Sequence, residues 1–331
     1  MQIKKTIDRI PGGLMICPLL LGTVINTVFP TFGKTLGSYT YAMMTGALPI
    51  IAVFFFCLGA TIDVKMTPYI LKKGAALLAT KWICGIIACL VVSHFIPTDA
   101  AVKAGFFTGL SVLAVVCSIN DTNGGLYMAL LGQYGKYEDA AAYSVMCIEG
   151  GPFLTMLTLG LTGLAAFPLT SFVGTILPLM LGVLLGNLDS DMRAFLAPGA
   201  TLLIPFFAFT LGNALSLKMV LQSGLLGICL GVAVVIFTGT FLILSDRLTG
   251  GTGVCGIAAA STAGVSASVP ISIAAINKSF APLVPSATAL TATSILVTAL
   301  LVPVVTSWYA KKWGVTKEVK PKKSKVMHQG A

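Results

Sequence analysis

The sequence predicts an all-α polytopic membrane protein, with ten transmembrane helices as two inverted five-helix repeats in which helices four and nine are broken. Three observations carry this fold class. Of 331 residues, 56% are hydrophobic and 10% charged, with a mean hydropathy of +0.95, whereas a soluble domain carries about 25% charged residues. The positive charges divide unequally between the two ends of the apolar runs. Two polar, Gly- or Pro-marked stretches, 117–125 and 261–270, interrupt runs otherwise apolar enough to cross a bilayer. Non-helical backbone at membrane depth must be buried in protein or line a wet cavity, and matching breaks in two halves point to a transporter binding site.

The apolar runs place spans at 10–30, 39–62, 74–96, 104–132, 140–165, 171–188, 197–217, 220–245, 250–277 and 281–309. Lys4, Lys5 and Arg9 precede the first run, and no small-residue cleavage site follows it, so it reads as an uncleaved first helix. With the N-terminus inside, sixteen Lys and Arg residues fall on inner loops and tails, Lys72, Lys73, Arg193 and Arg247 among them. Four fall outside: Lys34, Lys103, Lys218 and Lys278. This is the positive-inside pattern, with both termini cytoplasmic. Lys81 lies about two turns into the third span; it could help to meet an anion, though snorkelling to the inner face is the simpler reading.

The halves repeat. Pro18-Leu19-Leu20-Leu21-Gly22 matches Pro178-Leu179-Met180-Leu181-Gly182, and the nine residues from Leu58 match those from Leu211. Five spans per half is odd, so the second half lies upside down. The first repeat is 1–165, the second 166–310, and 311–331 is a tail. Its seven lysines read as a cytoplasmic anchor facing anionic lipid. Nucleic acid is not an expected partner, because no Arg or aromatic residues interleave. Prolines 18, 49, 152, 178, 205 and 270 read as mid-span kinks. Eight cysteines within apolar runs, with no CxxC and no histidine near, read as buried hydrophobes rather than a disulfide frame or metal site.

Two carboxylates fall well inside the membrane, Asp121 and Glu149. An Asp at mid-membrane costs about 2.5–3.5 kcal/mol even on an insertion scale, so each is a candidate for coupling an ion, here a proton. Asp121 also reads as a helix cap, and Glu149 as a carboxyl bonding carbonyls freed by Gly150-Gly151-Pro152. Asn120, Thr122 and Asn123 surround backbone that Gly124 and Gly125 let a ligand approach closely. Ser261, Thr262, Ser266 and Ser268 do the same in the second break. For any one hydroxyl, a bond back to its own helix is the simpler reading. The three Arg residues, Arg9, Arg193 and Arg247, all fall at the inner surface, so an anion would be met by helix N-termini. No phosphate-loop motif is present, and His94 and His328 are the two histidines, so neither ATP-driven transport nor a His relay is supported.

The run from Cys117 to Leu130 closely resembles the bacterial 2-keto-3-deoxygluconate permeases. Glu149-Gly150-Gly151-Pro152-Phe153 and Thr262–Pro270 carry the same resemblance, and Ile10-Pro11-Gly12-Gly13 and Leu58–Asp63 look similar too. It covers essentially the whole chain. The resemblance implies proton symport of this sugar-acid anion across the bacterial inner membrane, and kinship with the bile-acid/sodium symporter fold. Spans 1, 2, 6 and 7 would then form a panel, and spans 3–5 and 8–10 a core in which spans four and nine cross. The sodium ligands of that wider superfamily are not clearly present, which favours protons; a sodium-coupled or passive carrier is the alternative. No cofactor or metal is expected. The partners are the substrate, the bilayer and, as an option, further copies of the chain. The expected substrate site is Asn120, Asp121, Thr122, Asn123, Gly124, Gly125, Thr262, Ser266 and Ser268, with Asp121 and Glu149 carrying the proton. A channel and a membrane enzyme are the rival classes.

Overall fold

A computed structural model describes residues 2–8, 13–64 and 67–313. Arg9, the Ile10-Pro11-Gly12 opening, Lys65, Met66 and the basic tail beyond Trp313 lie outside the described residues. Every element among them is helical. The principal helices are α1 Gly13–Val28, α2 Ala47–Ala60, α3 Pro68–Ser93, α4 Val112–Asn120, α5 Gly124–Tyr134 and α6 Pro152–Leu161. They are followed by α7 Leu169–Leu188, α8 Ile204–Gly212, α9 Leu217–Leu248, α10 Val254–Ala258, α11 Val269–Ile276 and α12 Val284–Trp313. Among the described residues, five helical stretches are long and apolar enough to cross a membrane, or seven if each of two bent pairs counts as one span. The sequence count of ten is larger by three: the first span is a helix of 16 residues, Gly13–Val28, and the fourth and ninth are broken into short helices. On α7, Val173, Leu177, Met180, Leu184 and Leu188 form an exposed stripe, as befits a face turned to hydrocarbon.

Two helix pairs join the halves. In one, α1 lies on α8: a Cβ on Gly22 would strike the Phe209 carbonyl, and one on Gly212 the Leu19 carbonyl. In the other, α2 lies on α7, with Gly59 against the Leu179 carbonyl and Gly182 against that of Phe56. Backbones this close require glycine. In the sequence matches above, Gly22 corresponds to Gly182 and Gly59 to Gly212, and all four glycines lie in these two interfaces. Polar contacts follow suit. Asn26 Nδ2 donates to the Leu215 carbonyl (2.9 Å), and Asn187 Nδ2 to that of Ile62 (2.7 Å).

Several expectations need refining. Pro152, Pro205 and Pro270 stand in the first turns of α6, α8 and α11, where the missing N–H costs nothing, although Pro152 follows the bend of a broken span and Pro205 lies within the apolar stretch Ser190–Gly212; Pro18 and Pro178 lie inside helices. The fourth span begins at Val112, after an irregular segment through 104–110. A further break occurs in the fifth span, where the chain bends by 63° at Gly150-Gly151, with Gly151 at φ +90°. Cys229 is exposed on the outer side of α9, and Cys17 half-buried.

Lys73, counted with the inner-loop charges, is fully buried and forms an ion pair with buried Asp246. The other oxygen of Asp246 accepts from the Gly253 (2.7 Å) and Cys255 (3.2 Å) amides, so one carboxylate ties α3 to α9 and caps α10. Breaking a buried pair by removing one partner costs about 3–5 kcal/mol. Asp246→Ala is therefore expected to lower the unfolding temperature in detergent more than Lys73→Met, because it also strips the α10 cap. Equal losses would show that the cap contributes nothing.

Candidate functional site

The first break follows from its residues. Helix α4 ends at Asn120, Asp121 is extended (φ −110°, ψ 137°), and Asn123 restarts the helix by accepting the Leu126 amide (3.1 Å). The second leaves α10 at Ala258, runs extended at Ala263, and returns through a 3₁₀ turn, Gly264–Ser268, into α11. The extended segments meet. The Ala263 amide donates to the Asp121 carbonyl (3.0 Å), the Asn123 amide to Ser261 Oγ (3.0 Å), and the Thr262 hydroxyl to the Ser118 carbonyl (2.7 Å). Backbone groups freed by one break are thus satisfied by the other.

Behind this crossing lie the two carboxyls. Asp121 Oδ2 accepts from Ser266 Oγ (3.1 Å), and Glu149 Oε1 accepts from the Thr122 amide (2.5 Å). Among the described residues, Asp121 Oδ1 and Glu149 Oε2 are buried with no hydrogen-bond partner. A protonated carboxyl donates through such an oxygen, and a substrate or water arriving there would find it open.

In front lies a cavity of about 740 Å³ between α2 and α8 on one side and the breaks on the other. Thr122, Asn123, Gly124 and Gly125 form its polar floor, Tyr143 and Ser144 one flank, and Phe54 and Phe207 the apolar wall opposite. Among the described residues its lining has one charged side chain, Asp63, which pairs with Arg193 (3.1 Å). Of the first-turn amides of α5, that of Leu126 is taken by Asn123 Oδ1 and that of Tyr127 by the Asn123 carbonyl; those of Gly124 and Gly125 lie at this floor, where a helix N-terminus favours an anion.

The expected site residues divide into layers. Thr122, Asn123, Gly124 and Gly125 meet the cavity. Asp121, Glu149, Thr262 and Ser266 are buried behind it and joined to the crossing. Asn120 and Ser268, also named in the expected substrate site, are not among the cavity-lining residues. Asn120 Nδ2 turns to Thr155 (3.3 Å) and Thr158 (3.4 Å), and Ser268 Oγ bonds back to the Val265 carbonyl (2.6 Å).

Lys81 overturns its expectation most. It does not snorkel: its side chain is fully buried, and Nζ reaches the crossing itself. A signal was present, since Ile70, Gly74, Leu77, Lys81, Cys84 and Gly85 recur at helical spacing and form the buried stripe of α3. Tyr143, whose hydroxyl donates to the Thr122 carbonyl (3.4 Å), had no such signal.

Sequence comparison agrees with this architecture. The model of the 2-keto-3-deoxygluconate permease family matches residues 4–315. A 2-keto-3-deoxygluconate permease of Bacillus subtilis (strain 168) is 50% identical over 313 residues, 94% of each chain. One from Enterobacter sp. (strain 638) is 49% identical over 315 residues, 95% of each, and one from Escherichia coli (strain K12 / DH10B) is 47% identical over 313, covering 94% of this chain and 95% of its own. Agreement along nearly the entire length leaves one placement: the chain belongs to the 2-keto-3-deoxygluconate permease family, multi-pass membrane transport proteins and not enzymes.

Proposed function

We propose that this chain carries 2-keto-3-deoxygluconate into the cytoplasm together with a proton, by alternating access of a core moving against a panel. The observation that carries the reading is the cavity floored by the crossed breaks, with unbonded buried carboxyl oxygens directly behind the floor. The substrate carboxylate would lie at the start of α5, and its hydroxyls would meet Asn123, Thr122 and Tyr143. Ten spans in two inverted repeats fit the glycine interfaces of α1 with α8 and α2 with α7. Those four helices would be the panel. The cavity reaches Asp63, Thr67 and Ala197, at the end that the charge distribution assigns to the cytoplasm, so the conformation would be inward-facing.

The experiment is uptake of labelled substrate by proteoliposomes. With the outside acidic, accumulation above equilibrium is expected, collapsing on addition of an uncoupler and unchanged when sodium replaces potassium. Flux that only follows the substrate gradient, or that requires sodium, overturns proton symport; chemically altered substrate recovered from the lumen overturns transport as the activity.

A further inference from the structure

Lys81 lies in neither the cavity lining nor any ion pair among the described residues. Its Nζ instead has four oxygens within hydrogen-bond distance. These are the Asp121 carbonyl (3.2 Å) and Thr122 Oγ1 (3.0 Å) from the first break, and the Ala259 (2.9 Å) and Ser261 (2.5 Å) carbonyls from the second. An ammonium has three N–H donors and no acceptor, so four oxygens saturate it. The three carbonyls converge there because they belong to the interrupted helix stretches, where the regular i→i−4 ladder no longer claims them. A shell of carbonyl and hydroxyl oxygens replacing water is how a protein binds a bare monovalent cation, and a buried membrane cation survives by such pairing with carbonyls.

We propose that the crossing of the two broken helices is a monovalent-cation site permanently filled by the chain's own cation, the Lys81 ammonium. With one charge fixed where a free ion would otherwise bind, the crossing keeps its geometry without sodium. The same charge interacts electrostatically with the two buried carboxyls, Asp121 and Glu149, so one proton between them leaves the group of three neutral. Lys81 is thus a positioning residue. It holds Thr122 by its hydroxyl and Ala259 and Ser261 by their carbonyls, which fixes the cavity floor from behind. The inference deepens the proposed mechanism and rests on it only in treating the crossing as the ion-coupled part of the transporter.

The test reads ion binding through stability, with no transport assay, so its outcome is separable from that of the symport reading. The full chain in detergent is unfolded thermally in sodium chloride and in choline chloride at equal ionic strength. The wild type is expected to give the same unfolding temperature in both. Lys81→Met is one atom shorter and uncharged, which leaves a space the size of the ammonium. It should unfold earlier and recover saturably with ammonium chloride, by on the order of 5 °C at concentrations well above the dissociation constant; tetramethylammonium, too large for the shell, should give no recovery. A saturable sodium-dependent rise in the wild type overturns the assignment. So does a folded Lys81→Met protein whose ammonium response is no larger than the wild type's. If that variant cannot be purified, the wild-type titration alone decides, a flat curve supporting the assignment and a saturable one overturning it.

Discussion

Asp121→Asn is expected to abolish proton-driven accumulation while leaving the protein folded. Each pH unit of gradient is worth about 1.4 kcal/mol, a tenfold ratio. One proton moving with one monovalent anion transfers no net charge, so the membrane potential adds nothing. A wild-type symporter of that stoichiometry reaches about tenfold accumulation at one unit of pH difference. Asparagine preserves the acceptor that Ser266 uses at Asp121 Oδ2 (3.1 Å) but cannot take up or release a proton. The ratio should fall to about one, with exchange of labelled for unlabelled substrate continuing. Glu149→Gln is the companion, since Glu149 Oε1 holds the Thr122 amide (2.5 Å). Full coupling retained in both variants would remove the proton from this pair altogether.

Gly124→Ala and Gly125→Ala should behave oppositely although they are neighbours. A Cβ on Gly124 would fall inside the Tyr143 ring. Crowding of that kind typically costs about 1–3 kcal/mol, and here it displaces the ring that bonds Thr122. Uptake should drop at least about tenfold together with the unfolding temperature, and Tyr143→Ala in the same chain should restore the latter. A Cβ on Gly125 meets Asn123 Oδ1 alone, at 3.7 Å. Alanine there stabilises α5 by up to about 1 kcal/mol while projecting a methyl group beside the cavity floor. A folded protein with raised KM and little change in unfolding temperature is expected. Unfolding kinetics and uptake measured on both variants check this; equal behaviour would mean that the floor does not contact substrate.

Both breaks were legible because polar residues stand out against apolar neighbours, and an Asn-Asp-Thr-Asn-Gly-Gly run has no reason to sit in hydrocarbon unless it is used. Their meeting was legible through the repeat. The roles of Pro152, Pro205 and Pro270 were not, since a proline opening a helix and one kinking it differ only in where the boundary falls. Lys73 and Asp246 are 173 residues apart, and nothing local couples them. The partners of Lys81 are mainly carbonyls, which every residue carries, so no side-chain pattern announces them. That Asn120 and Ser268 lie outside the cavity lining was not legible, because polarity marks a break without showing which way a side chain turns. Asn120 turns toward Thr155 and Thr158, while Ser268 spends its hydroxyl on its own turn.

The glycine seams have a consequence for biogenesis. Each runs between one half of the chain and the other, α1 against α8 and α2 against α7. When the ribosome has delivered only the helices up to α6, Gly22 and Gly59 have no backbone to close upon. The early half must therefore wait in the lipid with its grooves uncovered, and final assembly is postponed until synthesis has passed Gly212.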